Sequence, residues 1–329
     1  MLIKDDISMP EAEYIPTPSF FLNHLFKGVL RTGGFHTFWG REGSGKTTIA
    51  LRTAAIAQKM GYMPVIIDTE HALDKNRIER DCGIERPYHH IQKNILEDVN
   101  DILLPMMREE GSKYFIIIDS INFLIKQQFV NNDDSQGGMA MPARSQTEFC
   151  MKVLNELSVN HLIMILAHTT VDLGGNRPAI VGKFAKMVEH TSANIVKLLP
   201  SFSTTGSNPA TLRAKGDNTI IYQEIFWEIQ KSKQGPLKGT KGSYRFYPAT
   251  ATIDSDREII KLASRLNILD ASSQGWLKLD GKSFRESAVV DMLKNDNEFK
   301  SDILNQIQTT KGTYIDFLST SREEENAGG

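Results

Sequence analysis

The segment Gly40–Thr47 constrains the fold of this chain more than any other feature of the sequence. Its residues, GREGSGKT, fit the phosphate-loop pattern G-x-x-x-x-G-K-[ST] at every fixed position. An apolar run, Phe35–Trp39, precedes it, and a helical pattern, Thr47–Lys59, follows it. In this strand–loop–helix context, glycines let backbone N–H groups point at phosphate oxygens. The segment therefore predicts a nucleotide site.

Two side chains of this loop have specific predicted roles. Lys46 should contact the β and γ phosphates, and the Thr47 hydroxyl should coordinate Mg²⁺. The predicted nucleotide-binding residues of the loop are Gly40, Arg41, Glu42, Gly43, Ser44, Gly45, Lys46, Thr47 and Thr48.

Two acidic residues follow other apolar runs and complete the predicted site. Asp119 ends the run Tyr114–Asp119 and is the candidate carboxylate that orients the metal ion. Glu70 lies just past the run Pro64–Asp68 and is the candidate group that activates water. Each acid has an alternative interpretation as an ordinary loop residue after a buried strand.

Apolar runs of strand length alternate with helix-length patterns along the first half of the chain. This alternation predicts an α/β fold with a mostly parallel central sheet flanked by helices. The predicted buried strands are Phe35–Trp39, Pro64–Asp68, Tyr114–Asp119 and His161–Ala167. The predicted helices are Thr47–Lys59, Leu96–Glu109 and Ala143–Val159. Strand-like segments without intervening helices predict an antiparallel edge at Asn194–Leu199, Thr219–Gln230 and Ser243–Pro248.

The pattern changes near residue 254, where a small α-rich C-terminal domain is predicted. Asp256–Leu266 and Phe284–Gln308 have the spacing of amphipathic helices around the short run Gly275–Leu279. The predicted parts are a short N-terminal segment at 1–16, an ATPase core at 17–253, the C-terminal domain at 254–318 and an acidic disordered tail at 319–329.

Composition excludes several classes of protein. No apolar run approaches the roughly 18 residues of a membrane span, and the first residues do not resemble a secretory signal. Two cysteines make no disulfide framework, so a cytosolic protein is expected. The formal net charge of −2 is low for a DNA-binding protein, but Lys231–Lys241 is basic while the last residues are acidic. A near-neutral total is therefore compatible with a basic groove.

Three segments together resemble one known family. GREGSGKTTIAL, IDTEHALD and YFIIIDS, in this order and separation, resemble the RecA family of recombinases, with weaker similarity from about Thr17 to Gly281. The resemblance implies a RecA-like ATPase core that uses ATP and Mg²⁺. It also implies that Glu70 activates water and that Asp74 contacts the adenine. Arg77 takes the place of the family's stacking aromatic, and its planar guanidinium is also able to stack on a base.

The resemblance assigns further roles around the catalytic residues. His168 occupies the position of the polar residue that senses the γ-phosphate, where bacterial members usually have glutamine and phage recombinases of the UvsX type resemble this chain. Lys231 and Lys233 resemble paired lysines that reach the ATP of a neighbouring subunit and stabilise charge on the transferring phosphate. The alternative interpretation of these lysines is a solvated basic turn.

Two predicted loops, at about Lys126–Arg144 and Thr170–Lys186, match the positions of the family's DNA-binding loops. Their candidate DNA-binding residues are Met139, Met141, Arg144, Gly174, Gly175, Arg177 and Lys183. Glycine-rich loops of this kind suit segments that become ordered on a polyanion, although two ordinary surface loops are the alternative.

The resemblance as a whole predicts a DNA-dependent ATPase of the bacterial or phage-infected cytoplasm. It would assemble with itself into filaments on single-stranded DNA and promote homologous pairing and strand exchange with double-stranded DNA, without a membrane partner. The alternatives are an accessory mediator of the same fold and a helicase-like ATPase, neither of which exchanges strands.

Overall fold

The computed structural model describes residues 11–25, 30–130, 140–172, 179–202, 210–216, 219–273, 275–279 and 281–310. The strands are β1 (Tyr14–Ile15), β2 (Leu30–Arg31), β3 (Gly34–Gly40), β4 (Met63–Asp68), β5 (His89–Ile91), β6 (Tyr114–Asp119), β7 (His161–Ala167), β8 (Thr169–Asp172), β9 (Ala179–Gly182), β10 (Ser192–Pro200), β11 (Thr211–Arg213), β12 (Ile220–Ser232), β13 (Lys241–Tyr247), β14 (Thr252–Ile253), β15 (Asp270–Ser273), β16 (Trp276–Leu279) and β17 (Lys282–Arg285). The α-helices are α1 (Phe20–Leu25), α2 (Lys46–Lys59), α3 (Leu96–Arg108), α4 (Gln127–Val130), α5 (Ala140–Glu156), α6 (Lys186–Thr191), α7 (Ser255–Arg265), α8 (Glu286–Asn295) and α9 (Asn297–Thr309).

The central sheet has the strand order β14-β13-β12-β10-β3-β7-β6-β4-β5, and β11 pairs with β12. The strands from β10 to β5 in this order are parallel to one another. β12, β13 and β14 continue the sheet in antiparallel pairs. The prediction of a mostly parallel α/β sheet with an antiparallel edge is confirmed, except that β10, which contains the segment Asn194–Leu199 predicted for that edge, is parallel to β3 and antiparallel only to β12.

The parallel strands form because they are apolar on both faces. Every residue of β6 and β7 is buried. Because side chains alternate along a strand, Ile117 joins the core cluster that contains Ile49 of α2, whereas Ile116 joins the cluster that contains Leu103 of α3. Each fully buried side chain of this kind contributes roughly 1.5–3 kcal/mol to folding. The sheet is thus fixed by helices on both sides.

This topology brings four chain segments together at one edge of the sheet. β3, β7, β6 and β4 are adjacent and parallel, so their carboxyl ends are side by side. Ligands of open α/β sheets bind at this edge. The segments that leave these four strands are those that contain the predicted phosphate loop and the predicted catalytic residues.

The C-terminal region differs from its prediction in one respect. A single helix at Phe284–Gln308 was expected, and this expectation is wrong, because the segment starts in β17 and continues as α8 and α9. The break is at Asp296, whose carboxylate accepts hydrogen bonds from the N–H groups of Glu298 at 3.0 Å and Phe299 at 2.9 Å. An aspartate that caps a helix in this way favours a new N-terminus over a continuous helix. The run Gly275–Leu279 contributes β16, the middle strand of a three-stranded antiparallel sheet.

The C-terminal region packs against the rest of the protein through helix α7. Its residues Ile259 and Ile260 lie in the same core cluster as Ile49 of α2. Glu258 of α7 is buried, and its carboxylate accepts hydrogen bonds from Ser19 Oγ at 2.6 Å and from the Phe20 N–H at 2.9 Å, at the start of α1. The division of the chain at residue 254 stays a prediction.

Candidate nucleotide-binding site

The phosphate loop takes its shape from its glycines. Gly43 and Gly45 have φ angles of 74° and 78°, in the left-handed region that favours glycine. Gly40 ends β3 against β10, where an added Cβ would lie 2.2 Å from the carbonyl oxygen of Leu198. The helix α2 then begins at Lys46, and none of the described residues caps its N-terminus with a side chain. Its first N–H groups are therefore directed at the cleft.

Lys46 lies folded over the loop. Its ammonium donates hydrogen bonds to the carbonyl oxygens of Gly40 and Arg41, both at 3.0 Å. Burial lowers the pKa of Lys46, while the charges of Asp119, Glu70 and Glu42 oppose that shift. An ammonium has three protons to donate, so one remains for a ligand.

Thr47 and Asp119 form the pair that fits a metal ion. The Thr47 hydroxyl donates to Asp119 Oδ2 at 2.7 Å. Burial raises the pKa of Asp119 to about 6, with a further increase from the charge of Glu70 and opposing effects from Thr47 and Lys46. A hydroxyl and a carboxylate are oxygen ligands of the kind that Mg²⁺ prefers. The donor set therefore fits Mg²⁺.

Glu70 and His168 contact each other across the sheet edge. His168 Nε2 lies 2.6 Å from Glu70 Oε1. This hydrogen bond is the main cause that lowers the pKa of Glu70, against the effect of burial. His168 is held in turn by Asn122, whose Oδ1 accepts from the His168 N–H at 2.7 Å. The carboxylate of Glu70 is thus oriented by His168.

Asp68 is a residue of this site that sequence reasoning missed. Its side chain is buried and accepts from the N–H groups of Ala72 at 3.2 Å and Leu73 at 3.1 Å. His90 Nε2 and Gln92 Nε2, near β5, each lie 3.3 Å from Asp68 Oδ2. Asp68 therefore fixes the loop that contains Glu70. The signal in the sequence was an aspartate at the last position of an otherwise apolar strand.

These groups surround a cleft of about 430 Å³. Most of the predicted loop and catalytic residues line it, together with a second wall that was not predicted. The cleft is lined by Glu42, Gly43, Gly45, Lys46, Thr47, Thr48, Glu70, Arg77, Asp119, His168, Phe202, Ile220, Gln223, Phe246 and Pro248. Gly40, Arg41 and Ser44 are not among the lining residues. The second wall comes from the antiparallel strands β12 and β13 and the loops next to them.

Asp74 and Arg77 have different positions relative to the cleft. Arg77 lines it, and its guanidinium donates to Thr48 Oγ1 and lies 3.7 Å from Asp81 Oδ2. Asp74 is exposed outside the lining, and its carboxylate accepts from the N–H of Arg77 at 2.7 Å. In this structure the Asp74 carboxylate therefore bonds to the first turn of the short π-helix at Asn76–Asp81, and its predicted contact with adenine stays a prediction.

Lys231 and Lys233 lie away from the cleft of their own chain. Ser232 pairs with Asn194 of β10, which pairs with His36 near the start of β3. Lys231 donates to the backbone carbonyls of Glu189 and His190 at the end of α6. Burial and the charge of Lys233 lower the pKa of Lys231. Gly40 is four residues after His36 along β3, which places the lysines about 13 Å along the sheet from the phosphate loop.

The described parts of both predicted DNA-binding loops contain regular secondary structure. The first contains α4 and the start of α5, so Met141 and Arg144 lie in a helix rather than a loop, and Arg144 is exposed. The second contains the antiparallel pair of β8 and β9, which ends beside the exposed Lys183. Local hydrogen bonding in the helix and the hairpin explains both corrections. Met139, Gly174, Gly175 and Arg177 lie outside the described residues.

The second of these segments, which contains β8 and β9, is hydrogen-bonded to the backbone of His168, a residue of the cleft. The N–H of Lys183 donates to the carbonyl oxygen of His168 at 2.8 Å. The Asn122 amide donates to the carbonyl oxygen of Lys183 and also accepts from the His168 N–H. The ring of Phe123 lies edge-on to that of His168, with centroids 5.7 Å apart. Glu70 is therefore linked through His168 to the base of the β8–β9 hairpin.

A phosphate loop after β3, an aspartate at the end of β6 that is bonded to Thr47 of α2 and an oriented glutamate after β4 are typical of P-loop α/β proteins of the nucleotide-hydrolysing class. The profile of the RecA N-terminal domain family matches residues 3–172, which is over half of the chain. The chain therefore belongs to the RecA family.

Curated relatives agree with this assignment at low identity. Protein RecA of Thermotoga maritima is 25% identical, with 99% of this chain and 89% of the relative covered. Protein RecA of Geobacter sulfurreducens is 25% identical, with 85% of this chain and 80% of the relative covered. The mitochondrial DNA repair protein recA homolog 3 of Arabidopsis thaliana is 24% identical over 89% of this chain, which spans 66% of the length of that relative.

No helix within the described residues is long and apolar enough to cross a lipid bilayer.

Proposed function

We propose that this protein is an ATP-dependent recombinase, which forms filaments on single-stranded DNA and promotes homologous pairing and strand exchange with a duplex. The observation that carries the proposal is the convergence of Lys46, the Thr47–Asp119 pair and the Glu70–His168 pair on one cleft. These groups supply phosphate binding, metal binding and water activation together. The RecA relatives support recombination as the process in which the ATPase acts.

Different residues of the cleft have different roles in ATP hydrolysis. The α2 N-terminus and Lys46 bind the phosphates, while Thr47 and Asp119 would hold Mg²⁺, which neutralises charge that develops on the phosphates. Glu70 is the general base, because it lines the cleft beside the phosphate loop and its carboxylate is positioned there. The hydrogen bond from His168 lowers the pKa of Glu70 and so limits its strength as a base. His168 orients Glu70 through the hydrogen bond between Nε2 and Oε1.

The same histidine supplies a route from DNA to hydrolysis. DNA bound near Lys183 would move the β8–β9 hairpin, and the bonds from Lys183 and Asn122 to the backbone of His168 would transmit that movement. Glu70 would then be repositioned relative to the attacking water. His168 in place of glutamine supports a recombinase of the UvsX phage type, active in the cytoplasm of a bacterium or an infected cell.

The position of the paired lysines supports a site that is shared between subunits. Lys231 and Lys233 lie about 13 Å along the sheet from the phosphate loop of their own chain, too far for direct contact. We therefore propose that they act on ATP bound by a neighbouring subunit of the filament. Charge supplied in this way would stabilise the transferring phosphate only after assembly.

The first test is phosphate release from ATP with and without single-stranded DNA of several unrelated sequences. We expect DNA to raise the rate of phosphate release. The affinity of the protein for DNA should be similar for each sequence and should fall steeply with salt, because phosphate contacts dominate. Arg144→Ala should weaken binding uniformly, while the matched change Arg80→Ala, at another exposed arginine, should not. A rate unaffected by DNA, or a strong preference for one sequence, would contradict the proposal.

The second test mixes two variant chains on single-stranded DNA, each of which should be nearly inactive alone. One chain has Lys46→Ala, and the other has Lys231→Ala with Lys233→Ala. Some interfaces of the mixture combine an intact phosphate loop with intact lysines, so activity should return on mixing. Full activity of the lysine variant alone would exclude the shared site.

A further inference from the structure

We propose that Gln223 is the residue that selects the nucleobase, by accepting a hydrogen bond from the 6-amino group of adenine. This inference rests on the proposed function, because it requires a nucleotide in the cleft. It extends that function from the phosphates, which every nucleoside triphosphate shares, to the base, which differs among them.

Gln223 reaches the cleft because β12 extends past the end of β3. Trp227 of β12 is level with Leu198 of β10, which is level with Gly40, the last residue of β3. Gln223 lies four residues further along β12, which is about 13 Å beyond the strand end. It pairs with Thr211 on one side and Phe246 on the other. The antiparallel edge of the sheet thus supplies the wall that faces the phosphate-loop side.

The orientation of the Gln223 amide is determined by its one partner. Its Nε2 donates to the carbonyl oxygen of Ser201 at 3.0 Å, and Thr211 Oγ1 donates to the same oxygen. A carbonyl oxygen only accepts, so the nitrogen of the amide must face Ser201 and the oxygen must face away. Within the described part of the chain, Gln223 Oε1 accepts no hydrogen bond, although the residue is only 4% exposed. Gln223 lines the cleft, and its oxygen, turned away from Ser201, is available to accept a hydrogen bond from a ligand there.

The groups that surround this acceptor are of the kinds that bind a nucleobase. Phe202, Ile220, Phe246 and Pro248 form the apolar part of the lining, and Arg77 lines the same cleft. Aromatic and guanidinium groups both stack on the flat faces of bases. An apolar environment also strengthens a hydrogen bond and increases the cost of an acceptor that is left unpaired.

The chemistry of the acceptor distinguishes one purine from another. Adenine carries an amino donor at position 6, whereas guanine and hypoxanthine carry a carbonyl oxygen there. Two acceptors facing each other would leave both without a proton, at the cost of a buried unsatisfied group. A site built to bond a polar group of its substrate rejects the analogue that lacks it. The cleft should therefore prefer ATP to GTP and ITP.

The test is calorimetric binding of five ligands with Mg²⁺: ATP, purine riboside triphosphate, ITP, GTP and tripolyphosphate. Purine riboside triphosphate is ATP without the 6-amino group, so the ratio of these two affinities isolates the proposed bond. In the native chain we expect ATP to bind about tenfold more tightly than purine riboside triphosphate, ITP or GTP. In Gln223→Leu the difference between ATP and purine riboside triphosphate should shrink to about twofold or less, through weaker binding of ATP.

Thr211→Val is the matched control. It removes the other hydrogen bond to Ser201 and leaves the Gln223 amide in place, so the ratio should stay at the native value. Equal binding of ATP and purine riboside triphosphate by the native chain would overturn the inference without any variant. A native ratio in Gln223→Leu would also overturn it. If all the nucleotides bind more tightly than tripolyphosphate but equally, only the role of Gln223 is wrong, whereas no binding of any nucleotide would overturn the proposed function as well.

Discussion

The cleft and the contact between α1 and α7 both bury charged or polar side chains, but they differ in what those side chains bond to. At the helix contact, each oxygen of Glu258 has a protein donor, Ser19 Oγ for one and the Phe20 N–H for the other. In the cleft, Gln223 Oε1 has none among the described residues, and Lys46 contacts only backbone carbonyls of its own loop. Burial alone does not mark a functional site. Unused hydrogen-bonding capacity alone does not mark one either, since both polar atoms of the buried Asn100 amide in α3 have no partner among the described residues. Lys46 and Gln223 differ from Asn100 because they line a cleft that a ligand can enter.

The two regions also differ in how a buried carboxyl group avoids an uncompensated charge. Burial raises the pKa of Glu258 to about 8 and that of Asp119 to about 6. Glu258 is enclosed by the fold, so a proton compensates its charge. Asp119 lines an open cleft beside Thr47, where a divalent cation would take that place. Substitutions in the first region should therefore change stability, and those in the second should change chemistry.

The largest expected effect is that of Lys46→Ala. The rate of ATP hydrolysis should fall by about 10³-fold or more, because the ammonium stabilises charge on the transferring phosphate. The free energy of unfolding should change little, since the side chain bonds only to its own loop. Phosphate release and urea denaturation measure the two quantities. Lys59→Ala, at the exposed end of the same helix, is the control and should keep the native rate.

Glu70→Gln should slow hydrolysis by about 10²-fold while ATP binding is retained, because the amide keeps the shape of the carboxylate but accepts no proton from water. Single-turnover kinetics and equilibrium binding of ATP separate these effects. The exposed Glu85 supplies the control, Glu85→Gln. A native rate in Glu70→Gln would assign the base to another group and weaken the contrast between the two regions.

Sequence reasoning found the parts of the site that lie within one continuous segment. The phosphate loop and Glu70 follow strands that are buried except at their first residue, and Asp119 is the last residue of the fully buried β6. Parallel strands must bring these carboxyl ends to one edge. Gln223 and Phe246 were missed because strand order decides which antiparallel strand faces the phosphate loop, and no local pattern encodes that order. The break at Asp296 was missed for a different reason, since an amphipathic pattern continues across a capped junction between two helices.

Glu258→Ala should have a smaller effect, of a different kind. The Ser19 hydroxyl and the Phe20 N–H would lose their partner, so the free energy of unfolding should fall by roughly 2–4 kcal/mol. Urea denaturation measures this change, with Asp291→Ala at an exposed position of α8 as the control. ATP affinity of the folded variant should equal that of the native chain. A loss of ATP binding without a loss of stability would mean that the two regions are not separate.

The smallest expected effect is a dependence of stability on pH that Glu258 causes. Its pKa in the folded chain, about 8, lies above the ordinary value of 4.5, so between these values the folded state holds a proton that the unfolded state has released. Stability from this group is therefore fully present below pH 4.5 and is lost as the pH rises towards 8, at up to about 1.4 kcal/mol per pH unit. The positive charge of Lys261 opposes the shift.

The measurement is urea denaturation at pH 6 and pH 7 for the native chain and for Glu258→Gln, which has a similar shape but does not titrate. The native chain should lose about 1 kcal/mol more than the variant over this interval, because only Glu258 differs in titration. Other groups that titrate near neutral pH, such as exposed histidines, are common to both chains and cancel in the difference. Equal slopes would show that Glu258 is already ionised in the folded state. In that case the hydrogen bonds from Ser19 and Phe20 would stabilise an ionised carboxylate. The helix contact would then hold a buried charge that no proton neutralises, and in this respect it would resemble the cleft.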